Sequence, residues 1–440
     1  MKLPRLVWLI SVIGLVALFA FACGDDDGDG DGDGNGNGAP TDIVDELLTD
    51  FGVSDTEIKL GMTLAQSGNP SAAAYSVIAS AVEASIAKVN AEDGGACNRQ
   101  INLIVEDDQY DPALALERAT KLAVQDGVLA FIGNLGTPAV SGQVDYINDP
   151  NGDGDTSDGI PHLFLSTGAS KWNDPERWPW TVGYIPDYKL EGNVIGRTLN
   201  EQSPGATAAI LYQADDFGED GREGFLEVFE GEVISEQTYE AGATEITSQL
   251  ANIRDAAPDI LYVYALPLTT ASVFRYMAAN AWEPQVAWSY VNPSSLLGAI
   301  LGGGTEPAQF QAGYDQIAGV ISTNYILDPI SDTDEPAIIE HLRVMETYAG
   351  PPPNQLAVYG NSLADLAVES LNLACASGDM TRKGLMNAVE SIDGYRSDLL
   401  LPGIEISVSA DDHAALQSLQ PVTVAPDGSL EPLGDLVTAE

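Results

Sequence analysis

The segment Gly133-Asn134-Leu135-Gly136-Thr137-Pro138 follows an apolar run and opens a helical one, which makes it the first place where the chain could grip a ligand. With Thr137 as N-cap and Pro138 at the first helical position, free backbone N–H groups and the positive end of the helix dipole converge there. That geometry favours an anion such as a carboxylate, and the Thr137 hydroxyl adds a donor. An ordinary capped helix carries the same signature, so both readings stay open at this stage. A second candidate is the run from Asp149 to Asp158, in which Asp149, Asn151, Asp153, Asp155 and Asp158 set oxygen-bearing side chains around Gly154. This spacing suits a hard cation such as calcium, in a structural role; no other cofactor is expected. Ile160 stands where the closing bidentate Glu belongs, Asp158 is the substitute, and a solvated acidic turn is the alternative. His162, His341 and His413 fall in no metal-ligand spacing. Without a nucleophile elbow, a phosphate loop or a Cys-His pair, the expectation is a binding protein and not an enzyme.

Composition narrows the partners of these groups. The 440 residues carry 66 Asp and Glu against 18 Lys and Arg, a formal net charge of -48, so phosphate backbones are repelled and nucleic acid is not an expected partner. Lys2 and Arg5 precede an apolar run from Leu6 to Ala22, which reads as an export signal over residues 1–22. Ala20-Phe21-Ala22-Cys23 resembles a bacterial lipobox, although Ala20 and Phe21 depart from its usual pattern; lipidation of Cys23 would anchor the chain to the cell membrane, outside the cytoplasm. The run is close to the roughly 17 residues that can span a bilayer, so an uncleaved anchor helix is the other reading. The tract GDDDGDGDGDGNGNGAP cannot bury a core and reads as a solvated tether, assigned to residues 23–54. Only Cys97 and Cys375 remain, a pair that permits one disulfide, with two free buried thiols as the alternative.

From Glu57 onward strand-like and helix-like runs alternate, the signature of parallel sheets covered by helices. Strands are expected at Glu57 to Met62, Ile101 to Glu106, Val128 to Ile132 and Pro161 to Leu165. A second series begins near Ala206, with strands at Ala208 to Tyr212, Val233 to Thr238, Asp259 to Tyr264 and Gln285 to Trp288. The helices between these later strands are expected at Gly221 to Phe229, Glu245 to Ala256 and Thr270 to Ala281. Asp111-Pro112 is a strong helix start. Two similar series point to an α/β protein of two lobes.

The runs IKLGMTLAQSG, INLIVEDDQYDPALALERATKLAVQDGVLAFIG, LYQADDFGEDGREGF and GATEITSQLANIRDAAPDILYVYAL, in this order, resemble the type I periplasmic solute-binding proteins, in the branch that binds Leu, Ile and Val for ATP-driven importers. The resemblance implies two Rossmann-like lobes with parallel-rich sheets and a three-crossing hinge. The first lobe would hold residues 55–183 and 323–401, the second 184–322 and 402–440. Ligand would sit in the interlobe cleft at the carboxyl ends of the strands.

The same resemblance implies a ligand set: Leu135, Gly136 and Thr137, a carbonyl at Gly168, a hydroxyl at Ser170, and Phe217 from the second lobe. Trp172 is a candidate cleft wall, with a core position as its alternative. Where amino acid binders of this family meet the ligand ammonium with Tyr and Glu, this chain has Leu266 and Tyr290. An unpaired buried cation is costly, so a carboxylate without an amine, aromatic or branched-chain amino acid-like, is the expected ligand. The expected partner is the permease of an importer, and the expected state a monomer. A ligand-sensing receptor feeding a separate signalling protein is the rival, since the chain ends soon after the last crossing with no signalling domain.

Overall fold

Ile58, Leu60, Met62 and Leu64 are buried along the strand Glu57–Leu64, and Gly61 and Thr63 between them are buried as well. A strand apolar on both faces needs helices above and below, and it takes an interior place in a parallel sheet. The computed structural model describes residues 47–243, 245–304 and 306–439. In it β1 (Glu57–Leu64) pairs with β2 (Gln100–Asp107) on one side and β3 (Ala130–Ile132) on the other, followed by β4 (His162–Leu165) and β5 (Thr181–Gly183), all parallel. The second sheet holds β6 (Ala208–Gln213), β7 (Val233–Tyr239), β8 (Ile260–Tyr264), β9 (Gln285–Trp288) and β10 (Ile321–Asn324), also parallel. It is extended by the antiparallel β11 (Ser418–Val424) beside β10.

The chain moves between sheets three times. It leaves the first after Gly183, leaves the second after Asn324, and rejoins the second at Ser418. Between the last two passages the helix Gln355–Ser377 packs on the helix Val77–Lys88 of the first lobe. The crossing strands hold one another: Leu401 N–H donates to Tyr325 O at 3.0 Å, and Gly183 N–H to His413 O at 3.0 Å.

Two local expectations are revised. The helix placed at Gly221 to Phe229 starts at Asp216, capped by Asp215, whose carboxylate accepts from the N–H groups of Phe217 and Gly218. Its glycines are no helix breakers here, because a β-carbon at Gly224 would lie 2.1 Å from Lys189 O; they let this helix press against the helix Tyr188–Gln202. The tether ends earlier than residue 54. Leu48–Thr49 pairs in parallel with Asp379–Met380, and the Arg382 guanidinium lies 4.3 Å over the Phe51 ring, so the backbone of this segment is already tied to the first lobe although Leu48 and Phe51 stay exposed. Residues 1–46, with the export signal, Cys23 and the acidic Gly tract, lie outside the described residues.

Cys97 and Cys375 are joined, with Cα atoms 5.9 Å apart, within the normal reach of a bridge. They lie 278 residues apart, and the bridge ties the turn before β2 to the end of the helix Gln355–Ser377. Replacing both by Ala is expected to cost about 2–5 kcal/mol, because a long loop regains freedom in the unfolded chain. Chemical denaturation of the double variant beside the parent checks this.

Candidate functional site

Both sheets turn their carboxyl ends toward one another, and the residues just beyond those ends enclose a cleft of about 720 Å³. Gly136 and Thr137 follow β3, Ser166 follows β4, and Tyr110 follows β2. Leu266 and Tyr290 follow β8 and β9, and Tyr325 follows β10. Ile185 and Tyr188 enter from the first crossing, while Gln355 and Tyr359 enter from the first turns of their helix. None of the lining residues is Asp, Glu, Lys, Arg or His.

The walls are largely aromatic. Tyr188 meets Phe217 edge to face at 5.0 Å, and Tyr290 meets Tyr325 the same way at 5.3 Å. Burial drives the tyrosine hydroxyls well above their ordinary range, so they act as neutral donors. Most are already engaged. Tyr75 donates to Val291 O at 2.9 Å across the cleft, Tyr290 donates to Pro186 O in the first crossing, and Tyr359 shares a 2.7 Å bond with Ser166. Among the described residues the Tyr325 hydroxyl and the Gln355 side-chain carbonyl oxygen have no hydrogen-bond partner, and both residues line the cleft. The lobes meet elsewhere too: Ser71 Oγ accepts from Leu268 N–H at 3.0 Å.

The expected ligand residues divide. Leu135, Gly136, Thr137, Phe217, Leu266 and Tyr290 all line the cleft. The helix after β3 runs Thr137–Asn148, and its N-cap is Gly136, at φ +97°, rather than Thr137. Only glycine fits there, because a β-carbon would lie 2.3 Å from the Tyr110 ring. A capping side chain is thus missing, and the first-turn N–H groups stay free for a ligand. The Thr137 hydroxyl shares a 2.6 Å bond with the Thr167 hydroxyl, in which either oxygen can be the donor, so it can still offer its hydrogen to a ligand when Thr167 donates.

Gly168, Ser170 and Trp172 are not among the lining residues. The Gly168 carbonyl accepts from Tyr188 N–H at 2.8 Å, where helix Tyr188–Gln202 begins. Ser170 gives its N–H and its hydroxyl to the Asp220 carboxylate of the second lobe, at 2.6 and 3.1 Å. These groups therefore join the lobes instead of facing the cleft. Trp172 is 1% exposed and packs on Trp178, the core position weighed against the cleft wall.

The acidic loop is built from its own backbone. Asp149 accepts from Gly152, Asp153 and Gly154 N–H groups, Asn151 from Asp153, Asp153 from Asp155 and Asp155 from Ser157, while Asn151 also donates to Asp158. Each carboxylate is turned to an amide, and among the described residues no three His, Cys, Asp or Glu side chains gather as a metal site. In this arrangement Asp149, Asn151, Asp153, Asp155 and Asp158 do not fit a calcium cage. The histidines are dispersed: burial lowers His162 to about 3, and His341 pairs with Asn361 at 3.1 Å. His413 Nδ1 lies 2.8 Å from Thr181 O.

Sequence reasoning missed Tyr75, Tyr110, Tyr188, Tyr325, Tyr359 and Gln355. A usable signal existed, because Tyr110 and Tyr325 fall within three residues of a strand's carboxyl end.

A family model described as periplasmic binding protein matches residues 57–429. Among solved structures, a fatty acid ABC transporter substrate-binding protein from Thermomonospora curvata superposes with a TM-score of 0.74 at 21% identity, over 90% of this chain and 95% of that one. A branched-chain amino acid ABC transporter protein from Thermus thermophilus with bound valine gives 0.73 at 17% identity, over 88% and 98%. No curated protein matches the chain.

Gly136→Ala places a β-carbon against Tyr110 and strains a left-handed backbone. The expected costs are about 1–3 kcal/mol of stability and at least a tenfold loss of ligand affinity. Thermal unfolding and titration calorimetry of the variant read both.

Proposed function

The chain belongs to the periplasmic binding protein family, and from that premise we propose that it is the extracytoplasmic substrate-binding lipoprotein of an ATP-driven importer, gripping a small carboxylate with an apolar body. The observation that carries this reading is the cleft itself: aromatic and aliphatic walls, no charged side chain among the lining residues, and a helix start capped only by Gly136. A carboxylate seats its charge on the free first-turn N–H groups and buries its body against Phe217, Tyr188 and Tyr290. An α-ammonium group finds no carboxylate there, since Leu266 and Tyr290 occupy the second-lobe positions, and leaving it unpaired is costly. The two neighbours fit a shared chemistry, one named for fatty acid and the other holding valine.

Lobe closure does the gripping. Hinge motion at the crossings brings Tyr75 to Val291 and Ser170 to Asp220, which removes water from the cleft and makes the closed surface that a permease recognises. No covalent step is needed. Lipidated Cys23 keeps the monomer at the membrane, on its outer side.

The test is a thermal-shift and calorimetry panel of aromatic and branched aliphatic carboxylates, their amides, and free amino acids. A matched carboxylate at 100 times its Kd is expected to raise Tm by roughly 3 °C. Tight leucine or valine binding, with none for the aromatic or branched carboxylates, overturns the ligand class.

A further inference from the structure

One charged group sits behind the cleft wall. Glu191, in the first turn of the helix Tyr188–Gln202, is 0% exposed. Its carboxylate accepts four hydrogen bonds from three strand ends: the Tyr264 hydroxyl at the last residue of β8, the Ser289 hydroxyl at 2.8 Å and the Tyr290 N–H after β9, and the Thr323 hydroxyl at 3.0 Å on β10. The titratable groups around it are tyrosines alone: Tyr188 on its own helix, Tyr262 and Tyr264 on β8, Tyr290, and Tyr325. The next acids, Asp187 and Asp215, act on Tyr290 and Tyr188. Glu191 forms no ion pair, so hydrogen bonds alone offset its burial.

Its neighbours are cleft residues. Tyr290 gives its N–H to Glu191 and its hydroxyl to Pro186, so one lining side chain is held at both ends by the first crossing. Tyr188, three residues before Glu191 on the same helix, lines the cleft as well. Thr323 adds the strand that leads into the second crossing.

We propose that Glu191 is the positioning residue of the second-lobe wall, fastening both crossings behind Tyr188 and Tyr290, and that binding an anion in the cleft makes its carboxylate take up one proton from solvent. This rests on the cleft being the ligand site. The sign follows from like charges: a bound carboxylate disfavours an ionised neighbour, so the protonated protein binds more tightly and affinity falls as pH rises. Burial already raises the Glu191 carboxyl to about 7, which puts the change near neutrality. A raised carboxyl also stabilises the fold fully below its unfolded value of 4.5, and that contribution is lost as pH climbs toward about 7.

Two variants separate the roles. In Glu191→Gln the amide oxygen can face the Tyr290 N–H while the amide NH2 faces the Tyr264 and Ser289 hydroxyls, which rotate to accept. The network survives and the charge is lost. Glu191→Leu removes both. Calorimetry with a carboxylate from the panel and its neutral amide, at about pH 6 and about pH 8, is the measurement.

For the parent, carboxylate affinity is expected to fall about three- to tenfold over that range. Glu191→Gln should flatten the fall and bind the anion more tightly at the higher pH, with the amide insensitive in both proteins. Glu191→Leu should lose at least tenfold in affinity at every pH. Coincident pH profiles for the parent and Glu191→Gln, or parental affinity in Glu191→Leu, overturn the inference. If Glu191→Leu does not fold, unfolding midpoints of Glu191→Gln against pH decide: Asp108, Asp187, Asp328 and Asp365, also raised by burial, weaken both proteins, but the parent loses more stability than the variant between about pH 4.5 and 7, whereas equal slopes overturn it. Failure of every carboxylate to bind sinks the cleft reading first, whereas binding with coincident profiles sinks only the role of Glu191.

Discussion

Strand direction is the constraint on which everything else hangs. Parallel strands covered by helices leave their carboxyl ends as the one edge where loops can gather without breaking a ladder, and two such sheets set edge to edge make a cleft rather than a surface. Backbone amides at those ends have spent no hydrogen bonds on the sheet, so they remain for a ligand or a helix cap. That is why Gly136 and Thr137, Ser166, Leu266, Tyr290 and Tyr325 meet although the chain passes between lobes three times.

The walls then divide the labour between tyrosine bodies and tyrosine hydroxyls. The rings bury area and shape the cavity, while the hydroxyls of Tyr75, Tyr290 and Tyr359 bond to groups on other segments and hold the walls in register. Such a side chain suits a site that must open and close, because each hydroxyl can exchange a protein partner for water at modest net cost. A charged latch inside the cleft would impose a desolvation penalty at every closure. The charged pairs that do join the lobes are set at the rim, as with Lys171 and Asp216, where water screens them.

Glu191 is the exception that this division explains. A carboxylate inside the second lobe is tolerated because four donors converge on it, and those donors come from the strand ends that carry the cleft. The same convergence makes it a stiff joint between the crossings. Stability and ligand preference thus pass through one buried group that lines no cavity itself.

The alternation of strand and helix, the Asp111 cap, the two-lobe organisation and the loop at Gly136 were legible in the sequence, because periodicity, capping and glycine are local properties written in neighbouring residues. Leu266 and Tyr290 were legible too, as departures at defined places after strands. Gly168, Ser170 and Trp172 stand outside the cleft lining, since whether a carbonyl or a hydroxyl faces a cleft or the opposite lobe depends on contacts between distant parts of the chain, fifty residues apart for Ser170 and Asp220. The acidic loop shows the opposite case: its spacing suits a cation, while in the fold its carboxylates accept from amides of the loop itself, a choice the sequence does not specify. By itself the sequence determined the first four strands of both sheets, their order of appearance and the absence of charge at Leu266 and Tyr290, while Thr181–Gly183, Ile321–Asn324 and Ser418–Val424 became strands only in the fold. Tertiary structure alone decided which tyrosines share one wall and what Glu191 holds, because those groups come from segments that only folding brings together.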